Sequence, residues 1–320
     1  MWTFNPVFKA TIWGGQRIAP FKMIATTLPN VAESWEISDV EGSESTVSAG
    51  PDKGLTLTEL IRKYGASLMG SKNYTRFGNR FPLLVKFIDA EKDLSVQVHP
   101  DDELARKRGM ENGKTEMWYV LDAAKGARLA NGFRKPVNPA DYRTLVEDGT
   151  IQDALNFNEI HKGDVFYIPA GRVHAIGAGA FVLEIQQTSD ATYRIYDYHR
   201  KDANGNEREL HTELAVDAIN FNDTEGKAVD YVMRPDIPVN VVDSPFFTTN
   251  LLTVDEEFIR DYSERDSFVI IIATAGSALV KTGNGEAELK AGDSALIASS
   301  EEKVWIYPDQ KFSFVETYIR

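Results

Sequence analysis

The sequence predicts a mainly β protein, two jelly-roll barrels with a small helical insertion in the first. Three observations lead there. Apolar runs of strand length crowd together at 164–168, 173–176, 180–187 and 192–196. Beyond residue 238 nearly everything reads as short strands separated by turns such as Gly283-Asn284-Gly285. One unit also occurs twice. "IHKGDVFYIPAGRVHAI" (160–176) and "LKAGDSALIASSEEKVWI" (289–306) share a Gly-Asp turn, a strand, a second turn and another strand. Such turns recur in double-sheet jelly rolls.

Taken in order, the first ninety residues mix short extended segments with turns. One helix is expected over 54–70, where Leu57, Leu60, Ile61, Tyr64 and Leu68 fall on one face. Residues 81–99 read as two strands around a polar turn, 101–109 as a short helix, and 117–133 as a strand pair. Residues 138–157 read as helical, opened by the start signal Asn138-Pro139. Composition changes near 222–237. The expected division is therefore a metal-binding unit, 1–235, with helical insertion at about 101–157, and a β unit, 236–320, without metal ligands.

Composition removes several classes of function. The formal charge of −13 is spread along the chain and speaks against a nucleic-acid partner, which wants a basic stripe. No run of about 18 apolar residues suggests a membrane span. The start, "MWTFNPVFKATIWGG", lacks a basic segment followed by an apolar core, so no secretory signal is read and a cytoplasmic setting is expected. With no cysteine, any metal must sit on imidazole, carboxylate or amide groups. An anionic substrate would need a local cluster of Lys or Arg against the field of the whole chain.

The chain has five histidines. His161, His199 and His211 lie beside Lys162, Arg200 and Glu213, in polar surroundings expected of exposed turns. His99 and His174 each stand at a strand edge. In "SVQVHPDD" (95–102), Val96 and Val98 alternate with Ser95, Gln97 and His99, so one face is apolar and the other polar. Glu116 opens the apolar segment of "GKTEMWYVL" (113–121). Two imidazoles and a carboxylate with an open position suit catalytic zinc, and also non-haem iron. Gln97 could add an amide oxygen. Trp13, Trp35, Trp118, Tyr119 and Tyr193 read as core or cavity wall.

Four segments carry a resemblance: "KATIWGGQRI" (9–18), "AESWEISD" (32–39), "LLVKFIDAEKDLSVQVHPDDELA" (83–105) with "GKTEMWYVLDA" (113–123), and "GDVFYIPAGRVHAIGAGAFVLEIQQTSDATYRIYDYHR" (163–200). Together they resemble the zinc-dependent type I mannose-6-phosphate isomerases in their short bacterial form, members of the cupin superfamily. The resemblance implies two cupin-type barrels, one zinc per chain, and isomerisation of a small sugar phosphate through an enediolate. It assigns the zinc ligands to His99, Glu116 and His174, with Gln97 as a further ligand in longer relatives. It places the catalytic arginine of "YRIYDY" at Arg194, and substrate-binding groups at Lys114, Ser95 and Lys86. Glu184, which alternates with Leu183 and Ile185, is the candidate base, with a role behind a ligand histidine or a metal-bound water as the alternatives. Lys114, two residues from Glu116, is expected to hold the phosphate. An iron-dependent bicupin oxygenase would use the same ligands without the Lys114–Arg194 pair. A sugar-phosphate-binding protein without turnover is the third reading.

Overall fold

The computed structural model of the chain describes residues 1–201 and 204–320. Period-two alternation builds its centre. In strand Leu83–Asp89, Leu83, Val85 and Phe87 enter one core, while Lys86 and Ile88 turn to the opposite side. Strand Glu116–Ala123 divides in the same way, Met117 and Leu121 against Trp118 and Val120. Strand Ala180–Gln187 sets Leu183 and Ile185 against Val182 and Glu184. These three strands are the middle of a six-stranded antiparallel sheet completed by Val165–Ile168, Glu33–Ile37 and Val7–Lys9.

A five-stranded sheet faces it, in the order Tyr193–Tyr196, Val96–Val98, His174–Ile176, Arg128–Phe133 and Leu155–Glu159. Val96, Val98, Ala175 and Ile195 point outward onto Tyr142 of helix Pro139–Glu147 and Ala215 of helix Thr212–Ala218. Leu129 and Ile176 point inward and meet Ile88, Trp118 and Val182 of the larger sheet. Burying each such aliphatic side chain contributes roughly 1.5–3 kcal/mol. This first unit is a double-sheet jelly roll with an apolar half and a polar half between its layers.

The second unit pairs a seven-stranded with a four-stranded sheet, Ile271, Phe312 and Phe314 packing on Val280, Val304 and Ile306. Two of the seven strands, Trp2–Asn5 and Thr46–Val47, come from the start of the chain; Trp2 pairs with Leu296 and Phe4 with Val47. The first residues thus cross the division expected at 235/236. A shared core, in which Val85 and Leu183 meet Ile270, Ile272 and Val315, joins the two units.

The Gly-Asp repeat is structural. Gly163 and Gly292 both adopt positive φ, 96° and 92°, and each is followed by an aspartate that accepts the amide three residues back, His161 to Asp164 and Lys290 to Asp293. Strands Val165–Ile168 and Ser294–Ile297 follow. The next strand starts with His174 in the first unit and with the exposed Lys303 in the second.

Three local expectations change. The single helix over 54–70 is broken: Leu57–Tyr64 and Ala66–Met69 are separated by Gly65 at φ 50°, and Gly70 at φ 84° precedes a third helix, Ser71–Phe77. Glycine takes positive φ without steric cost and so breaks an otherwise continuous apolar face. A capping box between Thr56 and Glu59 opens the first of these helices. Helix Pro139–Glu147 ends early, and 138–157 finishes as the 3₁₀ turn Ile151–Ala154 and the strand Leu155–Glu159. The stretch 101–157 therefore holds helices Asp102–Lys107 and Pro139–Glu147, but its strands Glu116–Ala123 and Arg128–Phe133 belong to the two sheets.

The interior of the second unit is closed by an ion pair. Glu316 is fully buried and accepts from Arg260 at 2.6 and 2.9 Å, from Asn250 at 2.8 Å and from Tyr262 at 2.7 Å. Breaking a buried pair strands the remaining charge. Glu316→Ala is expected to cost about 3 kcal/mol, the low end of the range for such pairs, because Arg260 keeps 15% of its side chain exposed. Urea unfolding measures this, and a loss below about 1 kcal/mol, the scale of a surface pair, would show that the network adds little. Among the described residues no helix is long and apolar enough to cross a membrane.

Candidate metal centre and active-site cleft

The polar half of the first unit is built by register. Across the five-stranded sheet His174 stands opposite Gln97, and Gln97 opposite Arg194. Across the facing sheet Trp118, Glu184, Lys86 and Trp35 form a row, and Glu116 stands beside Gln186. His99 follows strand Val96–Val98 on the same face as Gln97. The loop bringing Lys114 and Glu116 to it is held by the Lys114 amide on the Pro100 carbonyl at 3.0 Å. Gly113 is required there, since a Cβ would come within 2.5 Å of the Asp101 backbone.

His99, Glu116 and His174 are all buried, and their ligand atoms lie within 4.8 Å of one another. His99 Nε2 is 3.5 Å from Glu116 Oε2, and His174 Nε2 is 3.3 Å from Glu116 Oε1. Each imidazole donates its Nδ1 hydrogen to a backbone carbonyl at 2.8 Å, Ala191 for His99 and Arg172 for His174. That tautomer turns both Nε2 lone pairs inward, as metal-binding histidines require. Burial first, then Lys114, keeps His99 well below the usual histidine pKa. Burial pushes His174 down to about 3. Both rings are thus neutral, as a ligating imidazole must be.

Glu116 carries the test of fit for a cation. Neither of its buried oxygens accepts a well-formed hydrogen bond, although Lys114 Nζ lies 2.9 Å from Oε2. Burial, with the Glu184 charge behind it, raises its pKa to about 7. Lys114 and Lys86 do not outweigh burial and the Glu184 charge at this carboxylate, and a divalent ion among the three residues would add the positive charge that does. The Gln97 amide lies 3.3 Å from His174 Nε2, at the edge of this group. The nitrogen and oxygen ends of that amide are interchangeable by a flip, so its oxygen is within reach of the same point.

The remaining predicted residues gather in the adjoining cleft of about 150 Å³, which Ser95, Lys86, Lys114, Glu184 and Arg194 line. Glu184 accepts from Trp118 Nε1 at 2.7 Å and pairs with Lys86 at 3.0 Å. Burial alone would raise its pKa, but Lys86 and Lys114 outweigh burial and hold it below the ordinary value. Lys86 is also 3.5 Å from Glu33, and its ammonium pKa is raised by the surrounding carboxylates despite burial. Lys114 differs from expectation. Its ammonium lies 3.0 Å from His99 Nε2 as well as beside Glu116, at the end of the cleft where the two buried histidines stand. Trp13 and Trp35 line the cleft, as expected of wall residues.

His161 and His199 are exposed, as read from their neighbours. His211 is not. It keeps 23% exposure, and its Nδ1 accepts the Arg194 amide at 3.1 Å, fixing the strand that carries the arginine. Sequence reasoning also passed over Arg208, which lines the cleft beside Arg194. Arg208 reaches it through a tertiary contact and belongs to no periodic pattern.

Comparison with known proteins agrees with this geometry. Residues 1–130 match the family described as phosphomannose isomerase type I, catalytic domain. The chain is 36% identical over 299 residues to mannose-6-phosphate isomerase ManA of Bacillus subtilis, covering 92% of this chain and 91% of that one. It is 34% identical to a mannose-6-phosphate isomerase of Streptococcus mutans, covering 92% and 90%. The crystal structure of the mannose 6-phosphate isomerase from Bacillus subtilis superposes with a TM-score of 0.89 at 32% identity, over 99% of both chains. This chain belongs to the type I phosphomannose isomerase family.

Proposed function

We propose that the protein interconverts D-mannose 6-phosphate and D-fructose 6-phosphate by proton transfer between C1 and C2 through an enediolate. The observation that carries this reading is the buried His99–Glu116–His174 group opening onto a cleft lined by Lys86, Lys114 and Arg194. His99, Glu116 and His174 would hold one zinc ion, with Gln97 available as a fourth ligand; nitrogen and carboxylate donors without sulfur suit that ion. Bound there, zinc supplies Lewis-acid polarisation of a sugar oxygen.

The protein's own groups do the rest. Glu184 Oε1 is the basic atom at the cleft wall and takes the proton from carbon. Lys86 keeps that carboxylate ionised and holds its position. Lys114 and Arg194 put fixed positive charge where the enediolate oxygens become negative, and fixed charge stabilises most where charge develops. Arg194 stays protonated, so it stabilises charge and leaves proton abstraction to Glu184. Ser95 offers a hydroxyl at the wall for a sugar oxygen.

The test is turnover with metal counting. Protein dialysed against a chelator is expected to form no fructose 6-phosphate from mannose 6-phosphate, and one equivalent of zinc per chain is expected to restore it. Full activity in demonstrably metal-free protein, or no turnover in the zinc-loaded protein, would overturn the reading.

A further inference from the structure

We infer that Arg208, clamped by Asp197, is the residue that grips the phosphoryl group of the substrate, at the end of the cleft away from the histidines. The inference rests on the sugar-phosphate reading above and names the part of the site that recognises the anion.

Position comes first. Arg194 stands two strands from His174, through Gln97. At the usual strand spacing that is about 10 Å between backbones, room for a phosphorylated hexose with its reacting carbons at the histidines. Lys114 is committed to Glu116 and His99, and Lys86 to Glu184 and Glu33. Of the cations lining the cleft, Arg208 remains beside Arg194, and Asp190 is a further carboxylate of the lining.

Hydrogen bonding separates the arginines of this region. Arg200 commits all its nitrogens to Asp197 and to the Asp93 carbonyl. Arg208 gives Nε to Asp197 Oδ2 at 2.7 Å and Nη2 to Oδ1 at 2.5 Å, while its Nη1 has no hydrogen-bond partner among the described residues. Arg194 gives Nη1 to the Glu209 carbonyl at 2.9 Å and leaves a buried Nε unpaired. Asp197 keeps 5% of its side chain exposed and serves Arg200 and Arg208 together, one carboxylate between two guanidiniums. The chain reverses just after Asp197, with Tyr198 and His199 at φ 58° and 52°, which returns Arg208 to the cleft. Arg208, pre-oriented by a carboxylate and with Nη1 unused, presents the fork for the phosphoryl oxyanion, while Arg194, paired across from Gln97, keeps its buried Nε for the oxygen that becomes negative during the reaction. Burial and the neighbouring Arg208 charge both disfavour the charged form of Arg194, and an anion held by Arg208 offsets the second of these.

The experiment compares mannose 6-phosphate with unphosphorylated mannose, and uses inorganic phosphate as a competitive probe. Arg208→Ala is expected to raise KM for mannose 6-phosphate by roughly 10–100-fold, the worth of a hydrogen bond to a charged group, with kcat changed far less. The preference for mannose 6-phosphate over mannose should narrow by the same factor, and inhibition by phosphate should weaken in parallel. Arg200→Ala, which removes a group committed to the turn, should leave that preference nearly as in the wild type. If Arg208→Ala does not fold, Arg208→Lys, which keeps charge but loses the fork, should narrow the preference to a smaller degree. An unchanged KM in a soluble Arg208 variant of an active enzyme overturns the inference alone. Equal narrowing by Arg200→Ala overturns it in favour of loop order. A wild type that neither turns over mannose 6-phosphate nor is protected by phosphate overturns this and the functional reading together.

Discussion

His174→Ala is expected to strip the protein of zinc and reduce isomerisation to background. His174 and His99 are both about 1% exposed, with no other imidazole buried in the cleft to replace them. Loss of an outer partner of a metal ligand costs about 10–100-fold in affinity, and loss of a ligand itself should exceed that. The architecture should survive. His174 lies in the short strand His174–Ile176, whose pairing with Arg128–Phe133 uses backbone groups that alanine also has. Metal content by elemental analysis and secondary structure by circular dichroism should therefore separate, the first falling and the second holding. His99→Ala should behave alike. A folded His174→Ala protein that retained one tight zinc and normal turnover would remove the metal assignment.

The site was legible in the sequence where the backbone period carried it. In "SVQVHPDD" the alternation puts Gln97 and His99 on the face opposite Val96 and Val98, and the sheet does this: Val96 and Val98 lie in the outer core. Two-residue spacing also placed Lys114 and Glu116 together. It did not tell which end of the cleft Lys114 serves, because that depends on which strand lies opposite. Arg208 was illegible for a similar reason, since it is brought to the cleft by Asp197 across a reversed turn, and no local pattern encodes that contact. His211 looked like a surface residue from its neighbours in sequence, yet it packs on the Arg194 amide. The four residues Trp2–Asn5 are too few to announce a strand that enters the far sheet between Ser294–Ile297 and Thr46–Val47. The break at Gly65 and Gly70 was present in the letters; there, conformational freedom overruled apolar periodicity.

Glu184→Gln is expected to lower kcat by about 10²–10⁴-fold, the usual contribution of a positioned general base, while zinc content stays at one per chain. The substitution keeps shape and an acceptor for the Trp118 indole, which now binds Oε2 at 2.7 Å. What it removes is the charge at Oε1, 3.0 Å from Lys86 and 4.0 Å from Lys114. A carboxylate that only held Lys86 in place would give a different pattern, and pH separates the two. Burial would raise the Glu184 pKa, but Lys86 and then Lys114 more than offset it, so the wild-type group loses its charge only below the ordinary glutamate range. As a base it is then active throughout neutral pH, and the acid limb of kcat should lie at low pH. Lys86→Met takes away the largest of the stabilising charges. Glu184 then protonates at higher pH, and the acid limb must move upward toward neutrality. Activity of Lys86→Met should therefore recover in part as the medium is made more alkaline, whereas Glu184→Gln should stay low at every pH. If Lys86→Met shows an unmoved acid limb, or Glu184→Gln keeps kcat within a few-fold of wild type, the proton is taken by another group. The carboxylate would then belong to the scaffold that holds Lys86 and Trp118.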